Sequence, residues 1–327
     1  WRWCLAVNTP IAVLAALLAV RFVRESKAHG NTSYDIPGAI TVTGGLLALV
    51  YGFTQAAPAG YEDSAHWTDP STLVWFALSA VLLTAFFVIE SRSSHPLLPL
   101  RVIRNSNRAG AYISSLMVGA GMFAMFLFLG IFMQTILGYS PVQAGFAFLP
   151  FSVGIILGAG VASNLLPRVG PRPLMIPGLL AGAAGMLWLA QLEPDSAYVT
   201  HLLPAMLVMS LGMAFVFIPT ATVALHAVDH HDAGVASAMI NTSQQVGGSL
   251  GTALMNTVAV SATSAYLVAN AAAGEAAMPA ALTEGFTRGF YVGAGLLITA
   301  AVVVFFMIRI GADAAADEDE AAPVHMG

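Results

Sequence analysis

Nine separate stretches of this sequence are long and apolar enough to cross a lipid bilayer, and no other feature limits the possible folds so strongly. A helix needs about 20 mostly apolar residues to cross the hydrocarbon core, because every backbone N–H and C=O must be hydrogen-bonded within it. The stretches are residues 4–22, 37–54, 73–89, 112–137, 142–166, 174–192, 202–227, 234–267 and 290–310. The sequence therefore predicts an all-α polytopic membrane protein, a helical bundle with the lipid bilayer as its main solvent.

The composition excludes a soluble protein and a fold held by disulfides or metal. Only 9% of the residues are charged and 57% are hydrophobic, whereas soluble domains contain about 25% charged residues. The single cysteine, Cys4, cannot form an internal disulfide, and no Cys/His cluster has zinc-finger spacing. Packing between helices remains as the stabilising force, and we expect no cofactor and no nucleic acid partner.

The basic residues indicate an orientation, because short loops rich in Lys and Arg stay cytoplasmic. If the nine stretches alternate in direction, ten of the twelve basic residues lie on one side, and only Arg2 and Arg288 lie on the other. This predicts a cytoplasmic C-terminus and an external residue 1. The chain begins with Trp1 and enters a span directly from outside, so we expect further sequence upstream. The tail 311–327 is acidic and without apolar periodicity, which is typical of a disordered cytoplasmic end.

Two helix starts carry recognisable local signals. Ser140 and Pro141 offer an N-cap and a proline at the first helical position before the fifth stretch. Asp232 is a plausible N-cap for the eighth stretch. Both positions predict where a helix begins.

Six motifs, in order along the chain, resemble the fourteen-helix drug:proton antiporter branch of the major facilitator superfamily. The first is WRWCLAVNTPIAVLAALL, which is similar to the usual WRWIFLINVPIG at the start of the sixth helix but has Ala12 in place of the glycine. The others are YDIPGAI, HPLLPLRVIRN, LGYSPVQAGFAFLP, LLPRVGPRPL and DAGVASAMINTSQQVGGSLG. The resemblance implies that the nine stretches are helices six to fourteen.

The resemblance also implies a domain organisation. Residues 1–30 would be the sixth helix of the N-terminal bundle, and residues 31–110 an inserted helix pair with a cytoplasmic linker. Residues 111–310 would form the C-terminal six-helix bundle, and residues 311–327 the acidic tail.

The implied function is proton-coupled efflux of drugs or lipophilic secondary metabolites across the plasma membrane by alternating access. The expected partners are the lipid bilayer, small lipophilic or cationic substrates, protons, and the missing N-terminal half of the same protein. The family's proton-carrying acid belongs to the first five helices, and no acid of this chain is placed at membrane depth. The proton gradient would be the energy source, because no GxxxxGK[ST] phosphate loop is present.

A polar stripe runs along the eighth stretch at helical spacing. It consists of Ser237, Asn241, Gln245, Gly248 and Thr252, with Gln244 beside it. Close helix packing is one interpretation, since small residues let backbones approach; a substrate or proton-relay role is the other. The resemblance places this helix at the interface between the two bundles.

Two stretches are candidates for the wall of a substrate cavity. In the fourth stretch Phe123, Phe126 and Gln134 share a face, and in the seventh the candidates are Ser210, Phe215 and Thr220. Aromatic faces and nearby methionines suit bulky lipophilic or cationic compounds, although plain helix packing produces the same pattern. We expect the Gln134 amide to orient a substrate.

Two further groups of residues are candidate functional sites: a cytoplasmic gate and a histidine cluster. Arg168, Gly170 and Arg172 resemble a degenerate copy of the family's cytoplasmic gating loop, with positive-inside anchoring as the alternative. His226, Asp229, His230 and His231 form the only cluster that resembles a metal or acid/base site. If the seventh helix continued, His226 and His230 would share one face, which keeps a polytopic membrane enzyme as the alternative function. We expect a short cytoplasmic loop there instead, and no enzyme.

Overall fold

The structure, a computed structural model, describes residues 6, 8–22, 35–56, 66–93, 96–228 and 232–311. Several sequence predictions concern residues outside these ranges, namely Cys4, the acidic tail, and Asp229, His230 and His231 of the histidine cluster. All of the regular secondary structure in the described residues is helical. This confirms the predicted all-α class.

The chain divides into two units, residues 1–34 and 35–327. The described part of the first unit is helix α1, Asn8–Phe22. Of α1, the stretch Thr9–Phe22 is apolar but shorter than a full membrane crossing.

The described residues of the second unit form ten α-helices. They are α2 (Ile36–Ala56), α3 (Pro70–Arg92), α4 (Leu100–Arg104), α5 (Ser106–Thr135), α6 (Pro141–Ala147), α7 (Leu149–Val169), α8 (Pro171–Leu189), α9 (Leu203–Leu225), α10 (Ala233–Ala269) and α11 (Met278–Met307). A π-helical turn, Tyr198–Leu202, leads into α9. Within the described ranges, eight helical segments are long and apolar enough to span a membrane, and α6 and α7 together form one of them. Eight of the nine predicted spans are thereby confirmed as membrane-spanning candidates.

The helix starts follow from local chemistry in one case and from tertiary contacts in the other. The Ser140 hydroxyl accepts a hydrogen bond from the Gln143 N–H, and the Gln143 Oε1 accepts one from the Ser140 N–H, so the predicted cap of α6 is a complete capping box. Asp232 does occupy the N-cap position of α10, but its side chain makes no capping hydrogen bond. The expected cap is therefore wrong in its chemistry, because the carboxylate binds Arg101 instead.

Helix α5 lies at the centre of the second unit and packs against α9, α10 and α11. Its Met125, Phe128, Phe132 and Met133 are almost completely buried. Helices α2 and α3 pack mainly on each other, and α2 also contacts α10. Large apolar side chains remain exposed on the outer helix faces, as expected where lipid is the solvent.

Glycines allow α5 and α10 to approach closely. A Cβ at Gly119 would lie 2.9 Å from the Gln244 Cα, and one at Gly247 would lie 2.9 Å from the Leu116 Cα. Both distances are shorter than a normal carbon contact, so these positions must lack a side chain. Small residues at membrane helix interfaces gain close van der Waals packing in this way.

Candidate substrate pocket

A half-open apolar pocket lies between α5, α9 and α10. We call it the α5 pocket. Its volume is about 330 Å³, within the usual range for small-molecule sites. Its lining residues are Val118, Gly119, Met122, Phe123, Phe126, Phe217 and Gln244.

The aromatic wall of the α5 pocket is supported from two sides. The Phe126 ring packs against Phe148 and Phe151, with ring centres 5.2 and 5.1 Å apart. The Phe123 ring packs against α10, and a Cβ added at Gly248 would lie 2.8 Å from that ring. Both rings are therefore held by neighbouring helices while remaining partly exposed.

Gln244 supplies the one polar side chain among the lining residues of the α5 pocket. It lies on α10 opposite Gly119, at the close approach of the two backbones. In an apolar pocket a single amide can select substrates by its hydrogen bonds, because other polar partners are missing there. Sequence analysis assigned Gln244 to the bundle interface, and the structure adds that it borders the pocket.

The structure brings together only some of the predicted cavity residues. Phe123 and Phe126 line the α5 pocket, whereas Gln134 does not. The Gln134 side chain is exposed near the end of α5, and its Nε2 donates to the Gly130 carbonyl at 3.1 Å. A role of the Gln134 amide in orienting a substrate stays a prediction.

The predicted cavity residues of α9 face other helices. Ser210 is buried against Gly154 of α7, and its hydroxyl donates to the Leu207 carbonyl. The Phe215 Cβ lies 3.0 Å from a Cβ position built on Gly178 of α8. Thr220 is buried and donates to the Val216 carbonyl. These three side chains take part in packing within the bundle, and α9 contributes Phe217 to the pocket instead.

Phe217, Met122 and Val118 are the pocket residues that sequence reasoning missed. Sequence analysis considers the methionines near Phe123 only as a group, and Phe217 differs from the predicted Phe215 by two positions. Helix α9 is apolar on every side, so its sequence carries no periodic signal for the face that borders the pocket.

The polar stripe of α10 is divided between packing and exposure. Gly248 is buried against Phe123, and Thr252 is half-buried. Asn241 and Gln245 are exposed in this chain. A polar face of a membrane helix is unsuited to lipid, so Asn241 and Gln245 are available for contact with further protein.

The predicted gate residues lie at the junction of α7 and α8. Gly170 has a φ of +80° between the two helices, a conformation that favours glycine. Arg168 is exposed. The Arg172 guanidinium carbon lies 4.4 Å from the centre of the Phe305 ring of α11, so this arginine makes a cation–π contact with another helix. Their role in gating stays a prediction.

Arg108 joins three chain segments at the same end of the bundle as the α7–α8 junction. Its Nε donates to the Val102 carbonyl at 2.9 Å, and its Nη1 donates to the Ala227 carbonyl at 3.1 Å beyond α9. Sequence analysis treated Arg108 only as an orientation signal. The structure shows that it also donates hydrogen bonds to backbone carbonyl groups in α4 and just beyond α9.

His226 is the one member of the histidine cluster that the structure describes, and its backbone does not support the helical geometry that the enzyme hypothesis needs. Helix α9 ends at Leu225, and His226 already has an extended backbone with φ −60° and ψ 129°. His226 therefore does not continue a helical face toward position 230. Among the described residues, no group of three or more His, Cys, Asp or Glu side chains could hold a metal ion.

Comparisons with known proteins give relatives whose names refer to antibiotic or multidrug resistance or to antibiotic export. The chain is 40% identical over 331 residues to a puromycin resistance protein of Streptomyces alboniger, covering 99% of this chain and 63% of that protein. It is 35% identical to a cephamycin export protein of Amycolatopsis lactamdurans, covering 81% of this chain and 54% of the relative. A multidrug resistance protein B homolog of Mycobacterium tuberculosis is 29% identical over 78% of this chain and 47% of that protein.

The chain thus spans between about half and two thirds of the length of these relatives. Residues 1–252 match the family model of the Major Facilitator Superfamily. That match covers most of the chain, and the eight candidate spans agree with it. The chain is a multi-pass membrane protein that belongs to the Major Facilitator Superfamily.

Proposed function

We propose that the chain is part of a secondary transporter that exports antibiotics or other lipophilic or cationic small molecules. The observation that carries the proposal is the α5 pocket, an apolar space of about 330 Å³ with aromatic walls and a single amide. Aromatic faces attract organic cations, and apolar walls with few polar groups accept many lipophilic compounds. The names of the relatives, which concern puromycin and cephamycin, support export of such compounds.

Within the superfamily we assign the chain to the fourteen-helix drug:proton antiporter branch, as its C-terminal portion. Under this assignment α2 and α3 are the inserted pair, and α5 to α11 form the C-terminal bundle. The energy source is the proton gradient, without a bound cofactor. The location is the plasma membrane, with a cytoplasmic C-terminus.

The partner of this portion is a second helical bundle that covers the α5 pocket. Two features support such a partner: the pocket is half open, and Asn241 and Gln245 of α10 are exposed beside it. Transporters of this architecture bind substrate between two bundles and expose it alternately to each side. The N-terminal half of the same protein would supply the covering wall.

The test is drug accumulation in cells that produce the full-length protein, with Phe217→Ala as the variant. Removing the ring enlarges the α5 pocket and should change resistance by different factors for different compounds. Phe306→Ala is the matched control, because Phe306 is 66% exposed on α11 and does not line the pocket. Equal effects of the two variants on all compounds, after correction for protein abundance, would refute the pocket as the substrate site.

Proton coupling needs a separate measurement. Inverted membrane vesicles with the full-length protein should accumulate substrate when an inward-acidic gradient is imposed. A protonophore should abolish this accumulation. Uptake that persists without a gradient, or that needs ATP, would exclude the antiporter assignment and leave the pocket assignment intact.

A further inference from the structure

Asp35 caps the first turn of α2 and is left with one free oxygen. Its carbonyl accepts the Ala39 N–H at 3.0 Å, and its Oδ1 accepts the Gly38 N–H at 2.8 Å. This is the standard geometry of an aspartate N-cap. The residue is 8% exposed, and its Oδ2 is buried without a hydrogen-bond partner.

Glu90 in the last turn of α3 has the same arrangement. Its Oε2 accepts the Leu98 N–H at 3.1 Å. The residue is 3% exposed, and its Oε1 is buried without a hydrogen-bond partner. Each of the two carboxyl groups therefore has one oxygen in use and one oxygen unsatisfied.

The two unsatisfied oxygens border the same space above Gly38. A Cβ built on Gly38 would lie 2.9 Å from the Asp35 Oδ2 and 3.0 Å from the Glu90 Oε1. A side chain at position 38 would push between the two carboxyl groups. Glycine leaves this space open, and both unsatisfied oxygens border it.

The charged groups around the pair can be named from the helices that pack there. The Asp35 carboxylate lies close enough for its charge to act on Glu90. Arg92, two residues after Glu90 in the last turn of α3, is exposed. Helix α10, which packs against α2, contains no Asp, Glu, Lys, Arg or His, and Tyr266 is its only titratable side chain.

Two ionised carboxylates in this position would be costly. Each would be a buried charge without a cation, and the two would repel each other. One proton removes the repulsion and one of the two charges, because a protonated oxygen of one group donates to the free oxygen of the other. The remaining negative charge is then stabilised by hydrogen bonds from both the Glu90 hydroxyl and the Gly38 N–H. The helix dipoles distinguish the groups: the N-terminus of α2 favours a negative Asp35, and the C-terminus of α3 disfavours a negative Glu90.

We propose that Asp35 and Glu90 form a proton-binding site, in which the Glu90 Oε1–H donates to the Asp35 Oδ2 and joins the ends of α2 and α3. A metal cation fits less well, since Mg²⁺ and Ca²⁺ require six or more oxygen ligands and the described residues supply two carboxylates. The site lies on the α2–α3 pair, away from the α5 pocket, and it does not depend on the proposed transport function.

The first test is the pH dependence of thermal unfolding of the purified full-length protein in detergent. The bound proton stabilises the folded state, so wild-type stability is expected to be highest at low pH and to fall by several degrees as the pH rises and the proton is lost. In Glu90→Gln an amide N–H replaces the donated proton at every pH, so this pH-dependent decrease should disappear. Glu284→Gln is the matched control, because Glu284 pairs with Arg288 at the surface and should retain the wild-type profile.

The second test is infrared spectroscopy of the protonated-carboxyl stretch with hydrogen/deuterium exchange. The wild type should show a band that is absent in both Glu90→Gln and Asp35→Asn and present in Glu284→Gln. Asp35→Asn keeps the helix cap, so it provides a folded variant if Glu90→Gln is unstable. An unchanged band in both variants, or stabilisation by Na⁺ at constant pH in place of the proton effect, would overturn the proposal.

Discussion

Arg101 of α4 binds Asp232, the residue before α10, through two parallel hydrogen bonds. The Nε–Oδ2 distance is 2.6 Å and the Nη2–Oδ1 distance is 2.9 Å. The Asp232 side chain is 5% exposed and the Arg101 side chain is 63% exposed. This bidentate pair connects the linker before α5 to the start of α10, so a carboxylate that sequence analysis assigned to a helix cap instead holds two segments together.

Asp232→Asn should lower the stability of the purified protein. An asparagine cannot accept both guanidinium N–H groups as an anion does, and we expect a loss of about 1 kcal/mol, limited by the exposure of Arg101. Thermal unfolding at low and high salt measures the effect, which should be larger at low salt. Glu284→Gln breaks a more exposed pair, in which both side chains are at least 36% exposed, and it should change stability less. An equal loss in the two variants would contradict a special role for the Arg101–Asp232 pair.

Gly247→Ala should disrupt the packing of α10 on α5. The added Cβ would lie 2.7 Å from the Leu116 carbonyl carbon, so one helix backbone must move, at a cost of about 1–3 kcal/mol. Gly160→Ala on α7 is the control, since no atom lies within 4 Å of its Cβ position. There alanine should be neutral or stabilising by up to about 1 kcal/mol. The ratio of folded protein to aggregate in detergent gives the comparison, and a Gly247 variant as stable as the Gly160 variant would show that the helices are not in close contact.

Gln244→Ala should alter the range of exported compounds more than Gln134→Ala. Gln244 is the polar lining residue of the α5 pocket, whereas the exposed Gln134 amide is bonded to its own helix. The measurement is resistance to several compounds, normalised to protein abundance. In the Gln244 variant, resistance should change several-fold for some compounds and not for others. In the Gln134 variant, any change should be the same for all compounds. The reverse result would favour the initial assignment of Gln134 to the cavity.

Cysteines introduced at Arg104 and Arg168 should be labelled only from the cytoplasmic side. Two candidate membrane spans lie between these positions in the chain: α5 is the first, and α6 and α7 together form the second. Both arginine side chains are exposed. They must therefore share one side of the membrane. An impermeant thiol reagent applied to intact cells tests this, and external labelling of either position would reverse the orientation derived from the basic residues.

The positions of the membrane-spanning helices follow from the sequence because the length and hydropathy of a stretch are local properties. Eight predicted stretches correspond to candidate spans, and the Ser140 capping box begins α6 as expected. The break between α6 and α7 near Phe148 was not expected, since the stretch reads as one apolar run. Local signals specify where a helix exists more reliably than where it bends.

The rotation of each helix about its axis was decided only by tertiary packing. Lipid and protein interior are both apolar, so a membrane helix lacks the amphipathic pattern that identifies the buried face of a soluble one. Phe217, and not Phe215, borders the pocket because α9 turns Phe215 toward Gly178 and Ser210 toward Gly154.

The polar pairs have the same origin. The sequence shows that Asp35, Glu90 and Asp232 lie at the ends of apolar stretches and that Arg101 lies in a linker, and it determines their chemistry. Which of them meet depends on how α2 packs on α3 and how α4 reaches the start of α10. Hydrogen bonds and ion pairs act over a few ångströms, so only the folded arrangement of distant segments could bring these groups together.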